Sequence, residues 1–553
     1  MVHHTIVSTS LPRPLASYKA ILFDYGGVLV DLDKVRAFQA FDALGMDIRP
    51  YIGLYGQQAL FGGLERGELT VAEFCTALRE ATGCTNATDA QIVTAWQQFT
   101  LGVPAERLAL LWRLQRTHRL CLISNTSLIH WAEAEQAYLC SPHGAVRKLF
   151  TEVFLSYELG LEKPSPAIFE LVLGRLGLTA QEVLLVDDSV ANCEAAMALG
   201  IDSLQAAADG AWVAAFEPLL PTAQVHHELT ADLASSIGDS VATIGFFDGV
   251  HSGHRALLAQ VIRAAKAAGR ASVAITFAQH PRMVVDATFQ PALLLSDAAR
   301  IAALATTGVD HVVVLPFDRA MAGLTAKAFM QEVLYDTLAV RQLFIGHDHR
   351  FGRGRTEGFA DYVAYGVEMG MAVQQAERYH FGAYVPSSSA IRALLYEGEV
   401  SLAGAMLQGA YTLVGTVVTG RQVGRTIGFP TANVQLSDPY RLVPAAGVYL
   451  VRTSRGYGVM NIGHRPTFAD TSSLRTLEVH LFDTSADLYG QTLSVSLLAY
   501  LRPEQRFASV EALVAQIQQD CATARELLAN GRWRHVYPSP TLTLPLVYSH
   551  TIV

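Results

Sequence analysis

The chain has no CxxC pair: its six cysteines, Cys75, Cys84, Cys121, Cys140, Cys193 and Cys521, lie far apart. That scatter excludes a disulfide framework and a zinc site and fits a reducing compartment. No run reaches the roughly 18 apolar residues of a membrane span, and the opening MVHHTIVSTSLPRP carries no basic leader, so a cytoplasmic protein without a membrane partner is expected. Charged residues are only 16% of the chain and the net charge is −9, which excludes a broad basic surface for nucleic acid. Anionic ligands must therefore be met by local sites. What is present is a globular composition, 51% hydrophobic, over 553 residues. That length predicts three or four domains, each with its own core.

From about 20 to 210, short apolar runs (AILFDYG, LCLISN, VLLVDD) alternate with helical patterns, as in a parallel sheet with crossover helices. Residues 34–105 interrupt this rhythm with helical periodicity alone and read as an inserted cap. Residues 216–237, with two prolines and mixed polar residues, read as a linker. The α/β rhythm then resumes in SVATIGFFDG, SVAITF, VDHVVVLPF and RQLFIGHD, up to about 398. From about 409 the period becomes two, in YTLVGTVVTG, GVYLVRTS, YGVMNIG, TLEVHLFD and LSVSLLAYL, which predicts an antiparallel barrel. One amphipathic helix follows to about 531, and residues 532–553 read as a tail.

In GFFDGVHSGHRALL a strand runs into a turn with Gly249 and Gly253 and then a helix, whose first amides and dipole attract phosphate. His251 and His254, three apart, can turn both imidazoles to one phosphate group. Alone, two histidines and two glycines are more often a turn with a helix cap. With TFAQHP (276–281), GHDHRFGRGR (346–355) and PSSSAIR (386–392) following in order, the segment resembles the bacterial bifunctional riboflavin kinase/FAD synthetase family. The resemblance implies an FMN adenylyltransferase of the nucleotidyltransferase α/β type. It assigns His251, His254, Ser388 and Arg392 to the ATP phosphates and places Asp348 and Gly352 beside the nucleotide. In such a site the FMN phosphate attacks the α-phosphorus in line and pyrophosphate leaves.

In GRQVGRTIGFPTANV, glycines at 420, 424 and 428 precede Thr431 and Asn433. Glycine lets backbone approach phosphate, and a hydroxyl with an amide oxygen suits a hard cation. The same resemblance continues through NIGHRPTF, LEVHLFD, YGQ and LRPEQRF. It implies a riboflavin kinase barrel in which Gly424, Gly428, Thr431 and Asn433 hold ATP and Mg²⁺. In TLEVHLFD, alternation puts Leu477, Val479 and Leu481 on one face and Glu478 with His480 on the other. The resemblance makes Glu478 the general base for the riboflavin 5′-hydroxyl.

Near the start, ILFDYGGVLVDLD ends an apolar strand at Asp24, the usual place for a catalytic residue in an open parallel sheet. Ser124 in LISNT, Lys163 in LEKPSPAIF and Asp187 with Asp188 in LLVDDSVAN follow in register. The set resembles the haloacid dehalogenase-like superfamily over about residues 20–205. This implies a Rossmannoid domain with a helical cap and an aspartyl-phosphate chemistry. Asp24 is then the nucleophile, Gly26 (through its carbonyl), Asp187 and Asp188 hold Mg²⁺ with it, and Ser124 and Lys163 neutralise the phosphoryl oxygens. Two residues after Asp24 this chain has Gly26 where most phosphatases of the superfamily have a second aspartate as general acid. Asp31, Asp33 or a cap residue could replace it.

Small molecules are the expected partners: riboflavin, FMN, FAD, ATP and a phosphate monoester. For the first domain, 5-amino-6-(5-phosphoribitylamino)uracil is the expected substrate, because the fusion joins it to two flavin enzymes. FMN, a sugar phosphate, or a non-catalytic assembly role are the alternatives.

Overall fold

The computed structural model describes residues 10–529 except 53–58, 116, 135–148, 207–209, 217–218, 220–221, 231, 348, 382–383, 421–423, 425–426, 465–474 and 483–487. Asp348 and the tail therefore lie outside the described residues. The chain divides into two compact units, Met1–Thr222 with Thr306–Gly308, and Ala223–Ala305 with Val309–Val553.

The first unit is built on a parallel sheet of β1 (Ala20–Phe23), β2 (Arg119–Ser124), β3 (Glu152–Leu155), β4 (Val183–Asp187) and β5 (Asp202–Gln205), in the order β3-β2-β1-β4-β5. Every residue of β1 and β4 is buried, as strands covered on both faces require, and their unbroken Ala, Ile, Leu, Val and Phe runs supply that burial. Strand order reverses between β1 and β4, so their carboxyl ends open a crevice there. Between β1 and β2 the chain leaves to form the cap helices Lys34–Asp42, Ala59–Glu65, Val71–Thr82 and Asp89–Gln97. Thr70 and Thr88 start two of these with capping boxes. The cap has a core of its own, including Phe41, Phe61, Phe74 and Trp96. A short ribbon, Asp31–Leu32 against Thr100–Gly102, closes its two connections.

The second unit begins with another parallel sheet: β6 (Gln224–His226), β7 (Ser240–Ile244), β8 (Ala271–Phe277), β9 (His311–Leu315), β10 (Val340–Ile345) and β11 (Ala372–Gln375), ordered β11-β10-β7-β8-β9-β6. Residues 216–237, expected as a linker, thus contain the edge strand β6 and a helical turn, Leu233–Ile237. With only Val225 apolar among its three residues, β6 has no sequence period to betray it; pairing with β9 makes it a strand.

The six antiparallel strands β12 (Tyr411–Val418), β13 (Ala432–Leu436), β14 (Gly447–Thr453), β15 (Gly456–His464), β16 (Arg475–Leu481) and β17 (Thr492–Arg502) close a barrel in the order β12-β13-β16-β15-β14-β17. Strand β13 arises inside the PTANV segment, which reads in sequence as a motif and not as a strand. The helix Val510–Ala529 packs Ala524 against Val448, Leu450 and Val459, and Asp520 takes Arg502 in two 2.8 Å hydrogen bonds. Barrel and preceding α/β domain share a core: Leu294, Ile391 and Leu394 join Tyr411, Leu413 and Val451. Among the described residues no helix is long and apolar enough to cross a membrane.

Candidate functional site

In the first unit, Asp24 directly follows β1, Ser124 ends β2 and Asp187 ends β4, so the sheet itself brings them to one crevice. Lys163 reaches in between: Nζ lies 2.9 Å from Asp24 Oδ1 and 2.6 Å from Asp187 Oδ2, with its side chain 1% exposed. Asn125 braces that lysine, donating from Nδ2 to its carbonyl and accepting its amide, both at 2.8 Å. Asp187 Oδ1 accepts Ser189 N and Asn192 Nδ2 at 2.9 Å each. Ser124 Oγ is buried and, among the described residues, has no hydrogen-bond partner. Gly27, at φ +79°, lets Asp188 close over the turn, since a β-carbon there would lie 2.3 Å from Asp188 Oδ2.

Carboxylate oxygens of Asp24, Asp187 and Asp188 all lie within 4.8 Å of one another. Burial pushes Asp24 up from the usual carboxylate range; Lys163 opposes this, and Asp187 and Asp188 add to it. Asp188 is raised in the same way, by burial and then by Asp187. Three crowded carboxylates against one ammonium leave a charge deficit, and hard oxygen donors at this spacing fit Mg²⁺. Gly26 sits in the turn between Asp24 and this group, its neighbour Gly27 N donating to Val30 O at 2.8 Å.

In the second unit, a cavity of about 310 Å³ opens at the carboxyl ends of β7 and β10, lined by residues that include Phe246, Asp248, His254, His280, His349, Ser388 and Arg392. His251 caps the helix Ser252–Ala268, its Nδ1 accepting His254 N at 3.3 Å, and the two rings stack with centroids 3.6 Å apart. Burial drives His251 well below its ordinary range and His254 down to about 3; His254 and Arg392 add to the first, Arg255 and His349 to the second. Both shifts favour the neutral imidazole, and among the described residues His254 Nδ1 has no partner. Gly253 lets the next segment approach, because a β-carbon would stand 2.8 Å from Pro386 O. Gly249 lies in the turn before His251, and Gly352 packs against Ala326.

Asp248, which sequence reasoning passed over, organises this site. Its carboxylate accepts Leu294 N at 2.9 Å and Leu295 N at 3.2 Å, and pairs with Arg392 Nη2 at 2.5 Å. Its carbonyl accepts Ser388 Oγ at 2.8 Å. An acid inside a glycine turn reads as turn chemistry, so the only available signal was its place at a strand end.

On the barrel, Glu478 stands in register with Asn433 on one side and Asn461 on the other, so the three share one face of adjacent strands. Leu477, Val479 and Leu481 are buried on the opposite face, as the alternation predicts. His480 accompanies Glu478; its Nδ1 is 2.9 Å from Pro430 O and its ring meets Phe429 edge-on, which steadies the run into Thr431. Gly424 O accepts Phe429 N at 2.8 Å, and a β-carbon on Gly424 would lie 3.2 Å from Thr431 Oγ1. Gly428, at φ +85°, turns the chain before Phe429. Asn461 was missed because an amide on a strand gives no chemical signal until its neighbours are known.

Residues 234–390 match the FAD synthetase family and 407–528 the riboflavin kinase family. The bifunctional riboflavin kinase/FMN adenylyltransferase of Escherichia coli K12 is 40% identical over 291 residues, covering 52% of this chain and 92% of that protein. The chain belongs to this family. Its counterpart in Pseudomonas fluorescens is 40% identical over 298 residues, 53% of this chain and 94% of that protein. As a member of the bifunctional family the chain is a riboflavin kinase and FMN adenylyltransferase, with ATP, riboflavin and FMN as substrates. Residues 18–200 match the haloacid dehalogenase-like hydrolase family, so a hydrolase domain precedes the flavin enzyme. Over this part, the wild-type enzyme of that family from Bacteroides thetaiotaomicron, solved with magnesium and inorganic phosphate, is 34% identical. The match covers 34% of this chain and 95% of that one, with a TM-score of 0.33.

The Asp248 network yields a prediction. Asp248→Asn keeps an acceptor for the Leu294 amide but weakens the hold on Arg392. FMN adenylylation is expected to fall on the order of 10²-fold, the scale of a mispositioned reacting group. Riboflavin phosphorylation by the same preparation stays at the wild-type rate; both are read by chromatography of FMN and FAD.

Proposed function

We propose that the chain carries three steps of flavin synthesis: an N-terminal Mg²⁺-dependent phosphatase (about 1–215), an FMN adenylyltransferase (238–398) and a riboflavin kinase (409–531). The observation that carries the phosphatase is the Asp24, Asp187, Asp188 cluster threaded by Lys163. Asp24 Oδ attacks phosphorus, the bond to the ester oxygen breaks, and an aspartyl phosphate forms. Lys163 Nζ and Ser124 Oγ, whose hydroxyl has no other partner among the described residues, hold the phosphoryl oxygens. When bound by Asp24, Asp187, Asp188 and the Gly26 carbonyl, Mg²⁺ neutralises charge on the phosphoryl group and keeps Asp24 ionised. Water then cleaves the acyl phosphate. The substrate we assign is 5-amino-6-(5-phosphoribitylamino)uracil, because its dephosphorylated product leads to the riboflavin that the other half of the chain consumes.

In the kinase, Glu478 takes the proton from the riboflavin 5′-hydroxyl as that oxygen attacks the ATP γ-phosphorus. Thr431, Asn433 and the glycines at 424 and 428 hold the nucleotide and its metal. In the adenylyltransferase, neutral His251 and His254 donate hydrogen bonds to phosphate oxygens from the helix start, with Ser388 and Arg392 on the other side. The FMN phosphate displaces pyrophosphate without a covalent enzyme intermediate.

Two measurements test these assignments. Phosphate release without ATP, with Mg²⁺, is expected to be fastest from the ribitylaminouracil phosphate, slower from FMN and glucose 1-phosphate, and abolished in Asp24→Asn. Equal slow release from all three sinks the substrate assignment. Glu478→Gln should lower FMN formation by about 10² to 10⁴ and spare FAD formation from supplied FMN. His254→Ala should do the reverse, by about 10² to 10³; a variant that loses both activities together would refute its assignment.

A further inference from the structure

A phosphatase acting on a primary alcohol ester must protonate a poor leaving group, and position 26 carries no acid. Crowding does not forbid one there: a β-carbon on Gly26 meets only the Leu32 side chain, at 3.4 Å. The two acids nearest in sequence are committed elsewhere. Asp31 Oδ1 pairs with the buried Arg107 at 2.8 Å, and Asp33 caps the first cap helix, accepting Arg36 N at 3.0 Å.

A third acid stands where the cap meets the loops of the crevice. Glu65 ends the helix Ala59–Glu65, and that helix end is fastened to the two loops that carry Ser124 and Lys163. Ser156 Oγ donates to Glu65 O at 2.6 Å, with Thr126 O 3.1 Å away, and accepts Thr126 N at 3.0 Å. Thr126 lies two residues after Ser124 and next to Asn125, the brace of Lys163. On the other side, Arg66 Nη1 stands 4.0 Å from Glu162 Oε1, the residue before Lys163. The backbone continues close by, since a β-carbon on Gly67 would be 2.3 Å from Tyr157 O. These contacts hold the Glu65 backbone beside the loops that carry Ser124 and Lys163.

The electrostatics agree with that placement. Burial pushes the Glu65 carboxyl up to about 8, Glu162 and then Asp24 add to the rise, and Arg66 opposes it. The shift favours the protonated carboxyl, the form a proton donor needs, and Asp24 is among its causes.

We propose that Glu65 is the general acid of this domain, supplying from the cap the proton that an acid at position 26 would otherwise give. The inference rests on the phosphatase reading of Asp24. As Asp24 Oδ bonds to phosphorus, the electron pair of the breaking P–O bond passes to the ester oxygen, which takes the Glu65 proton and leaves as the alcohol. The Glu65 carboxylate then takes a proton from the water that attacks the aspartyl phosphate, restoring the acid as phosphate departs.

The test compares leaving groups in single turnovers of the full chain and its Glu65→Gln variant, with Mg²⁺. One ester is p-nitrophenyl phosphate, whose phenolate needs no proton; the other is the ribitylaminouracil phosphate, whose alkoxide does. Glu65→Gln is expected to slow alkyl-ester cleavage by about 10² to 10⁴ more than it slows the p-nitrophenolate burst. Wild-type alkyl-ester cleavage should also fall as pH rises through the loss of the Glu65 proton, a limb absent from the burst. Equal slowing of both esters, or of neither, overturns the role of Glu65 and leaves the phosphatase standing. A wild-type chain that cleaves neither ester removes the phosphatase reading and this role together.

Discussion

The Lys163 ammonium, shared between Asp24 and Asp187 in a place water scarcely reaches, is the interaction on which the N-terminal crevice depends. Parallel strands that end side by side force their last residues together, and here those residues are acids. Without an opposite charge two carboxylates so placed would not both ionise. The same condition holds elsewhere in the chain. Asp248 is buried with Arg392 and two backbone amides, Asp31 with Arg107, and Asp520 with Arg502. Such pairs add little net stability against an apolar alternative, but removing one partner is costly, so they fix geometry more than they hold the fold.

The two α/β domains place different groups at the ends of their strands. The first uses a fixed cation and a crowd of carboxylates that call for a metal, which suits forming and breaking a bond to the protein. The second presents a helix start with stacked neutral imidazoles and one guanidinium, which suits holding a triphosphate while two substrates react with each other. In the barrel, strand register sets an acid between two amides.

Most of this was legible in the chain. Short apolar runs such as AILF, VLLVD and SVAITF, alternating with helical patterns, read as buried strands, and the acids and serine at strand ends, with a lysine from a later loop, pointed to one crevice. Alternation in TLEVHLFD placed Glu478 on the face opposite the buried Leu477, Val479 and Leu481. What escaped notice depended on partners distant in sequence. Asp248 reads as a turn residue until Leu294 and Arg392 surround it. Asn461 acquires meaning only beside Glu478, and strand β6 only beside β9. Glu65, in the charge-rich ERGE run, reads as solvated because nothing local reveals that Ser156 and Glu162 lie against it.

The shared core of barrel and adenylyltransferase has a consequence for how such enzymes can be divided. Leu293 pairs with Arg441 of the barrel, whose guanidinium also bonds the Leu293 carbonyl and Thr412 O, while the next amide, Leu294, is held by Asp248. A chain cut between the two activities would expose Ile391, Leu394 and Leu413 to water and loosen the loop that carries Asp248. Gene fission at this junction is thus penalised by solubility as well as by catalysis. A lineage that separates the two activities must first repaint that face with polar residues.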